Sequence, residues 1–235
     1  PFMTLGQTEM LLAETEKQTE TICAEGKLVG DIIVTPQCLS ELLACIEDNF
    51  LSDSVLINGT SPYRDKLGQK IAAPSVTVLS APLSEEIVGG YRSTSDGYIA
   101  ENMTLIENGV LKNFVVSRYG SKRTGIPRSK NDGGCYIMNG GNTSLSDMIK
   151  NVKKGLIMNR FSAGSPGVNG DVTGVAKNSF LIEDGKIVGA VSETMFSGNL
   201  TEMLLNVRAI SEERINDGSS ILPWVDFGGV TISGK

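Results

Sequence analysis

The chain has 235 residues, of which 40% are hydrophobic and 20% charged, ordinary values for a globular protein of one large domain or two small ones. It contains no histidine, which excludes Ser-His-Asp and Cys-His nucleophile systems, histidine-ligated metals and the commonest general base. The four cysteines form no CxxC pair, so we expect reduced thiols and a cytoplasmic location rather than a disulfide framework. No apolar run approaches the roughly 20 residues that a membrane-spanning helix needs.

The net charge of −6 is unevenly distributed along the chain. Residues 1–60 hold ten acidic and two basic side chains, so the remaining residues carry a net charge of +2. Six basic side chains fall within residues 112–130, which contain no acidic residue and two aromatic ones, Phe114 and Tyr119. Because the chain as a whole is acidic, this stretch favours a solvated loop or a surface facing an acidic partner over a nucleic-acid interface.

In chain order, residues 4–22 predict an acidic surface helix or linker, and a strand-like run follows at 28–35. Pro36 can begin a helix, which residues 36–50 continue with leucines at helical spacing. Further strands are predicted at residues 74–80, 97–106, 110–117, 156–161, 179–191 and 221–232. Further helices are predicted at 144–154 and 200–209, where Ser144 and Asn199 can cap the first turn. Residues 51–73 and 120–142 predict irregular segments.

Two hairpins are predicted from their turns. Asn108-Gly109 and Asp184-Gly185 each stand between apolar strands, and both dipeptides supply the positive φ angles of a type I′ turn. Antiparallel hairpins combined with several helices predict an α+β fold.

Three segments carry a resemblance to a known family. They are SDGYIAENMTLIENGVLKNFVVSRYGSKRTG (95–125), GVAKNSFLIEDGKIVGAVSETMFSGNLTEMLLNV (174–207) and ILPWVDFGGVTISGK (221–235). Together they resemble the carboxy-terminal part of PmbA/TldD proteins, a family also described as modulators of DNA gyrase. The resemblance implies an α+β domain over residues 28–235, with antiparallel sheets in a barrel- or sandwich-like arrangement and flanking helices. Residues 1–27 would then be an acidic helix or linker, and the family's amino-terminal α/β domain would be missing.

The resemblance also implies a peptidase system that acts on unfolded or leader peptides. One subunit of that system binds a metal through a helical His-Glu-x-x-x-His motif and a later cysteine, and a sister subunit lacks these ligands. The helix at 36–50 stands where the motif is expected, with Ser40 and Cys45 at the histidine positions and Glu41 at the glutamate position. Asp217 stands near the place of the later cysteine. We therefore expect a metal-less, TldE-like or PmbA-like subunit without a cofactor, in a homodimer or in a heterodimer with a metal-binding TldD-like subunit.

Two glycine-rich runs, 133–142 and 162–174, match no phosphate-binding P-loop because no Gly-Lys-Ser/Thr follows either run. They are ordinary loops between strands, or they edge a peptide-binding cleft as the resemblance implies. The candidate cleft residues are Gly140, Gly141, Gly167 and Asn169.

Three functional interpretations stay open at this stage. The leading one is a non-metal-binding subunit or scaffold half of the peptidase assembly. The second is a peptidase that is active alone, either with the missing amino-terminal region or through a carboxylate site around Glu41, Asp171 and Glu193. The third is a structural or regulatory module that binds a protein such as DNA gyrase without hydrolysing anything. Cys38 and Cys45, seven residues apart on one helical face, favour core packing over metal binding.

Overall fold

The computed structural model describes residues 8–234, which fold around one large, mostly antiparallel sheet. The α-helices are α1 (Thr8–Lys17), α2 (Pro36–Ile46), α3 (Asp53–Asn58), α4 (Arg118–Thr124), α5 (Leu145–Asn151) and α6 (Leu200–Leu205), and a π-helical turn (Glu47–Leu51) follows α2. The first seven strands are β1 (Thr21–Ile22), β2 (Lys27–Val34), β3 (Val78–Ser80), β4 (Met103–Glu107), β5 (Val110–Leu111), β6 (Tyr136–Met138) and β7 (Lys154–Met158). The others are β8 (Arg160–Ala163), β9 (Asp171–Lys177), β10 (Ser179–Glu183), β11 (Lys186–Val191), β12 (Met195–Asn199), β13 (Val207–Asn216) and β14 (Ile221–Ser233).

Strand β14 is a central strand of the sheet. It pairs antiparallel with β2, β12 and β13, and in parallel with β6. The main path of paired strands runs β1-β11-β10-β7-β2-β14-β6-β3-β4-β5, and within residues 8–234 it does not close into a barrel. The α+β prediction is thus confirmed, with an open sheet as its framework.

The sheet separates two hydrophobic cores. Successive residues of a strand point to opposite faces, so Ile32 and Val34 of β2 enter the larger core beneath α2, whereas Ile33 enters a smaller one. In the smaller core Ile33 packs with Trp224 of β14 and Met148 of α5. Because β14 has a core on each face, its sequence is almost continuously apolar from Ile221 to Phe227.

Side-chain caps begin the helices where the sequence predicts them. Thr35 accepts a hydrogen bond from the backbone N–H of Cys38 at the start of α2, with Pro36 in the first turn. Ser144 caps α5 and Asn199 caps α6 in the same way. Both helices are shorter than predicted, since α5 ends at Asn151 and α6 at Leu205.

Both hairpin turns are confirmed. Asn108 and Gly109 have φ angles of 48° and 80°, and Asp184 and Gly185 have φ angles of 46° and 75°. These values lie in the left-handed region that the Asn-Gly and Asp-Gly turns were predicted to supply.

Several regions differ from the sequence prediction. Strands β12 and β13 are not predicted from the sequence, and the strands predicted at 97–106 and 110–117 are shortened to β4 and β5. Helix α3 lies inside the irregular segment predicted at 51–73, and the loop predicted at 120–142 contains most of α4 and strand β6. Helix α4 has few apolar residues, and Ser117 fixes its start by donating to the Asp53 side chain through both its backbone N–H and its hydroxyl. Such a contact between distant segments leaves no local sequence pattern. Strand β9 begins at Asp171, so the last residues of the glycine-rich run 162–174 form a strand rather than a loop.

At the amino terminus, α1 confirms an acidic helix over Thr8–Lys17, and residues 4–7 of the predicted helix lie outside the described residues, as does Lys235. Among residues 8–234, no helix is both long and apolar enough to cross a membrane.

Candidate functional site

Helix α2 carries the positions that the family resemblance assigns to a metal-binding motif. Its apolar residues form one stripe, Cys38, Leu39, Leu42, Leu43 and Ile46, which is buried in the larger core against β14. This packing fixes the helix on the sheet and leaves Ser40, Glu41 and Cys45 partly exposed along its sides.

Glu41 contacts a cation that belongs to the protein itself. Its Oε1 atom lies 3.7 Å from Nε of Arg160, the first residue of β8. Both side chains are partly exposed, so the ion pair contributes little to stability. Its electrostatic effect is more informative: the guanidinium charge disfavours a divalent cation beside this carboxylate.

The surroundings of Cys45 disfavour its thiolate form. The side-chain amide of Asn49 donates to its carbonyl oxygen at 2.8 Å and contacts its Sγ at 3.7 Å. Burial, followed by the nearby Asp48 carboxylate, raises the pKa of the Cys45 thiol. Burial also raises the pKa of Cys38 strongly. Since the thiolate is the form that binds metals and attacks substrates, neither cysteine is activated for this chemistry.

Asp217 forms the turn between β13 and β14. Its Oδ1 atom accepts hydrogen bonds from the backbone N–H groups of Ser219 and Ser220, at 2.8 and 2.7 Å. Asp217 also lines a cavity of about 320 Å³ between α1 and the first turn of α2, opposite Gln37. The structure thus brings Asp217 to the start of α2, one turn before Ser40, whereas Ser40, Glu41 and Cys45 do not line this cavity.

The same cavity contains a buried amide that the sequence did not single out. Asn159, between β7 and β8, donates from Nδ2 to the Glu14 carboxylate of α1 at 2.9 Å. Burial raises the pKa of Glu14, and the hydrogen bond from Asn159 opposes this effect. The hydrogen bond between Asn159 and Glu14 therefore holds α1 against the connection between β7 and β8, beside the start of α2.

These residues do not fit the metal that the family resemblance implies for one type of subunit. Within residues 8–234, no group of three or more Cys, Asp and Glu side chains lies close enough together to hold a metal ion. A serine hydroxyl, a single thiol and a carboxylate beside a guanidinium are also a poor donor set for zinc. No catalytic step through a metal is derived from this helix.

Glu41, Asp171 and Glu193, the carboxylates considered for a peptidase that is active alone, each contact different residues. Asp171 accepts hydrogen bonds from the side chains of Asn199 and Asn169, which lower its pKa. Glu193 lies 3.8 Å from the Cys23 thiol. Glu41, by contrast, contacts Arg160. A lowered pKa makes Asp171 a weak general base, and the three carboxylates contact different residues, so the structure gives no support to a shared carboxylate centre.

Glu47, at the start of the π-helical turn, is the buried carboxyl that sequence reasoning missed. It accepts hydrogen bonds from the Tyr136 hydroxyl at 2.9 Å and from the backbone N–H of Gly134 at 3.2 Å. Burial raises its pKa to about 7, although both hydrogen bonds favour the charged form. In the sequence Glu47 resembles an ordinary exposed residue at a helix end, and nothing local signals its burial.

The four candidate cleft residues lie in two turns, and only Gly140 and Gly141 approach neighbouring backbone closely. A Cβ atom on Gly141 would lie 2.2 Å from the carbonyl oxygen of Ile210, and one on Gly140 would lie 2.7 Å from that of Glu212. Close approach to β13 therefore explains these two glycines. Gly167 donates its N–H to the carbonyl of Asp171, and Asn169 donates to the Asp171 side chain. None of the four lines the described cavity beside α2.

Comparison with known proteins places this architecture in a family. Residues 26–234 match the PmbA/TldA metallopeptidase C-terminal domain. The chain is 25% identical to a metalloprotease of Methanothermobacter thermautotrophicus, covering 78% of this chain and 43% of that protein. It is 27% identical to the metalloprotease PmbA of Escherichia coli O157:H7, covering 74% of this chain and 41% of that protein. The chain thus spans less than half of these relatives.

Solved structures show the same fold. A proposed modulator of DNA gyrase from Bacteroides thetaiotaomicron superimposes with a TM-score of 0.85 at 25% identity, covering 97% of this chain and 52% of that one. TldE from Thermococcus kodakarensis superimposes with a TM-score of 0.79 at 24% identity, covering 96% and 55%. The chain therefore belongs to the PmbA/TldD family and corresponds to its carboxy-terminal domain.

Proposed function

We propose that this domain belongs to the non-metal-binding half of a PmbA/TldD-type peptidase assembly acting on unfolded or leader peptides. In this account a partner subunit with the His-Glu-x-x-x-His motif supplies the metal. This domain supports the partner and contributes to the surface that holds the peptide.

The observation that carries the proposal is the state of helix α2. The motif glutamate position, Glu41, is paired with Arg160, and serine and cysteine stand at the two histidine positions, Ser40 and Cys45. A catalytic zinc normally needs three protein ligands and an open position for water. The donors on α2 supply no such set, so catalysis by this chain would depend on a partner.

Mixing the protein with a His-Glu-x-x-x-His homologue tests the proposal. We expect no hydrolysis of an unfolded peptide by this protein alone, and hydrolysis by the mixture that exceeds the activity of the homologue alone. Hydrolysis by this protein alone would overturn the proposal. Inactivity of every combination would favour a structural or regulatory module, for example one that binds DNA gyrase.

Two matched variants locate the catalytic glutamate in the mixture. Glu41→Gln in this chain should leave peptide turnover unchanged, because the Glu41 carboxylate is occupied by its ion pair with Arg160. The equivalent Glu→Gln change in the homologue's motif should abolish turnover, since that carboxylate acts beside the metal. Loss of turnover with Glu41→Gln would contradict the assignment.

A further inference from the structure

Two β-bulges lie next to each other, one where β13 pairs with β14 and one where β14 pairs with β2. The pairing of β14 with β13 shifts between Val207 and Ala209, so Arg208 is an extra residue in β13. The pairing of β14 with β2 shifts between Phe227 and Val230, where Gly228 and Gly229 of β14 lie opposite the single residue Asp31 of β2. Bulges re-aim side chains and are over-represented beside functional sites.

Next to these two bulges, the Arg208 side chain extends across the sheet. Arg208 extends from β13 over β14 and forms an ion pair with Asp31 of β2. A Cβ atom on Gly228 would lie 2.0 Å from Nε of Arg208, so the guanidinium crosses β14 where the strand has no side chain. Asp31 is 8% exposed, whereas the Arg208 side chain is 56% exposed. A buried carboxylate therefore fixes a guanidinium that still faces solvent.

Two lysines complete a basic cavity of about 420 Å³. Lys153 and Lys154, at the connection between α5 and β7, line it together with Arg208, Asp31 and Gly229. Neither lysine forms an ion pair within residues 8–234, so three cations face one carboxylate across the cavity. The resulting net positive charge of the cavity attracts an anion.

A second buried carboxyl lies beside Asp31. Asp226 is 5% exposed, and its Oδ1 atom has no hydrogen-bond partner among the described residues. Burial, reinforced by the charge of Asp31 and opposed by Arg208, raises the pKa of Asp226 to about 7. Asp226 therefore adds less negative charge near neutral pH than an exposed aspartate would, and the cavity stays positive.

We propose that this cavity binds a carboxylate group of a peptide, with Arg208 as the positioned anchor and Lys153 and Lys154 as supporting charges. A guanidinium matches a carboxylate through two parallel N–H donors, which ammonium groups cannot provide. The cavity volume exceeds that of a lone carboxylate and leaves room for neighbouring peptide atoms. Naming a peptide rests on the proposed function, whereas the anion site itself rests on the geometry alone.

The source of the carboxylate can be resolved with short probes. We suggest acetyl-alanyl-alanine for a terminal carboxylate, acetyl-glutamyl-alanine amide for a side-chain carboxylate, acetyl-alanyl-alanine amide as the neutral control, and inorganic phosphate. Binding is measured by NMR, from the amide signals of Gly228 and Gly229, on the protein without any partner subunit. This readout is independent of peptide hydrolysis, so it fails or succeeds separately from the proposed function.

Gly228→Ala is the sharpest variant, because it keeps every charge and displaces the guanidinium of Arg208. The φ angle of Gly228 lies outside the left-handed region, and the atoms nearest its added Cβ all belong to the Arg208 side-chain end, so the fold should tolerate alanine. Arg208→Gln and Lys154→Gln remove charges from the cavity. Lys186→Gln, on β11 and outside the cavity lining, is the matched control for net charge.

We expect one or both carboxylate probes to bind and the neutral amide not to bind. Gly228→Ala and Arg208→Gln should each weaken binding at least about tenfold, whereas Lys186→Gln should leave it unchanged. Equal binding of the neutral amide, no binding of either carboxylate probe, or unchanged binding by Gly228→Ala would overturn the proposal. Binding of phosphate alone would overturn the assignment to carboxylates.

Discussion

Glu47 shows how strongly a single side chain can depend on distant parts of the chain. It is 9% exposed, and its two hydrogen-bond donors come from residues 134 and 136, almost ninety positions away. The φ angle of Gly133 is 81°, and a Cβ atom there would lie 1.8 Å from Oε1 of Glu47. A glycine is therefore required where the loop meets the carboxyl group.

Glu47 and Asp226 make stability depend on pH. Burial raises the pKa of each to about 7, from ordinary values of 4.5 and 3.8. The folded chain therefore binds more protons than the unfolded chain across this interval, and the free energy of unfolding falls as pH rises through it. For Glu47 we expect a loss of roughly 2 kcal/mol between pH 5 and pH 8.

Urea unfolding at several pH values measures this effect. Glu47→Gln and Asp226→Asn should each flatten the decrease, because amides do not titrate. Glu16→Gln, an exposed change on α1, serves as the control. A wild-type stability that rises between pH 5 and pH 8 would contradict the account.

At the scale of single elements, the hairpin of β4 and β5 is fixed by its turn and by the segment packed against it. The carbonyl of Gly109 accepts hydrogen bonds from Ile71 and Ala72, and its N–H donates to Val76. Gly109 and Gly97 both have positive φ angles, 80° and 88°. A Cβ atom on Gly109 would lie 2.4 Å from the Ala72 carbonyl oxygen, whereas one on Gly97 would meet nothing within 4 Å.

Alanine substitutions at Gly97 and Gly109 separate the energetic cost of backbone strain from the cost of a steric clash. Gly97→Ala should cost about 1 kcal/mol of unfolding free energy, from the left-handed conformation alone. Gly109→Ala should cost about 2 kcal/mol more, because backbone atoms must also move. Chemical denaturation of both variants gives the difference, and equal costs would show that the close contact is unimportant.

The two candidate cleft turns can be tested in the same way. Gly141→Leu should destabilise the fold, because its Cβ would lie 2.2 Å from a β13 carbonyl oxygen. Gly167→Leu should change stability by less than about 0.5 kcal/mol, since its close neighbour is the movable side chain of Asn169. If the turn at 167–169 edges the peptide cleft, Gly167→Leu should still lower peptide turnover in the mixed assembly. Unchanged turnover would count against that turn.

Elements with a local signal could be predicted from the sequence, and elements held by distant contacts could not. Helix α2 has an apolar stripe and a Thr35-Pro36 start, and the Asn108-Gly109 turn has its own chemistry. Helix α4 depends on Asp53, and Arg208 reaches its partner Asp31 only because two strands bulge. Buried carboxyls such as Glu47 likewise acquire their character from tertiary packing.

At the scale of the whole molecule, part of the positive charge carried by residues 61–235 is neutralised by ion pairs within the fold. Three residues of the basic stretch form ion pairs: Lys112 with Glu107, Arg128 with Asp96 and Lys130 with Glu101. The basic cavity around Arg208 lies elsewhere, on β2, β13 and the start of β7. Charge on this domain is therefore localised, which suits recognition of one group better than attraction to a polyanion.

We propose that helix α2 binds no metal of its own. The most direct test is the metal content of the purified protein by mass spectrometry, after exposure to zinc and removal of loosely bound ions, with a His-Glu-x-x-x-His homologue treated in parallel. We predict stoichiometric metal on the homologue and none above background on this protein. Stoichiometric metal on this protein that is lost with Cys45→Ala or Glu41→Gln would contradict the account.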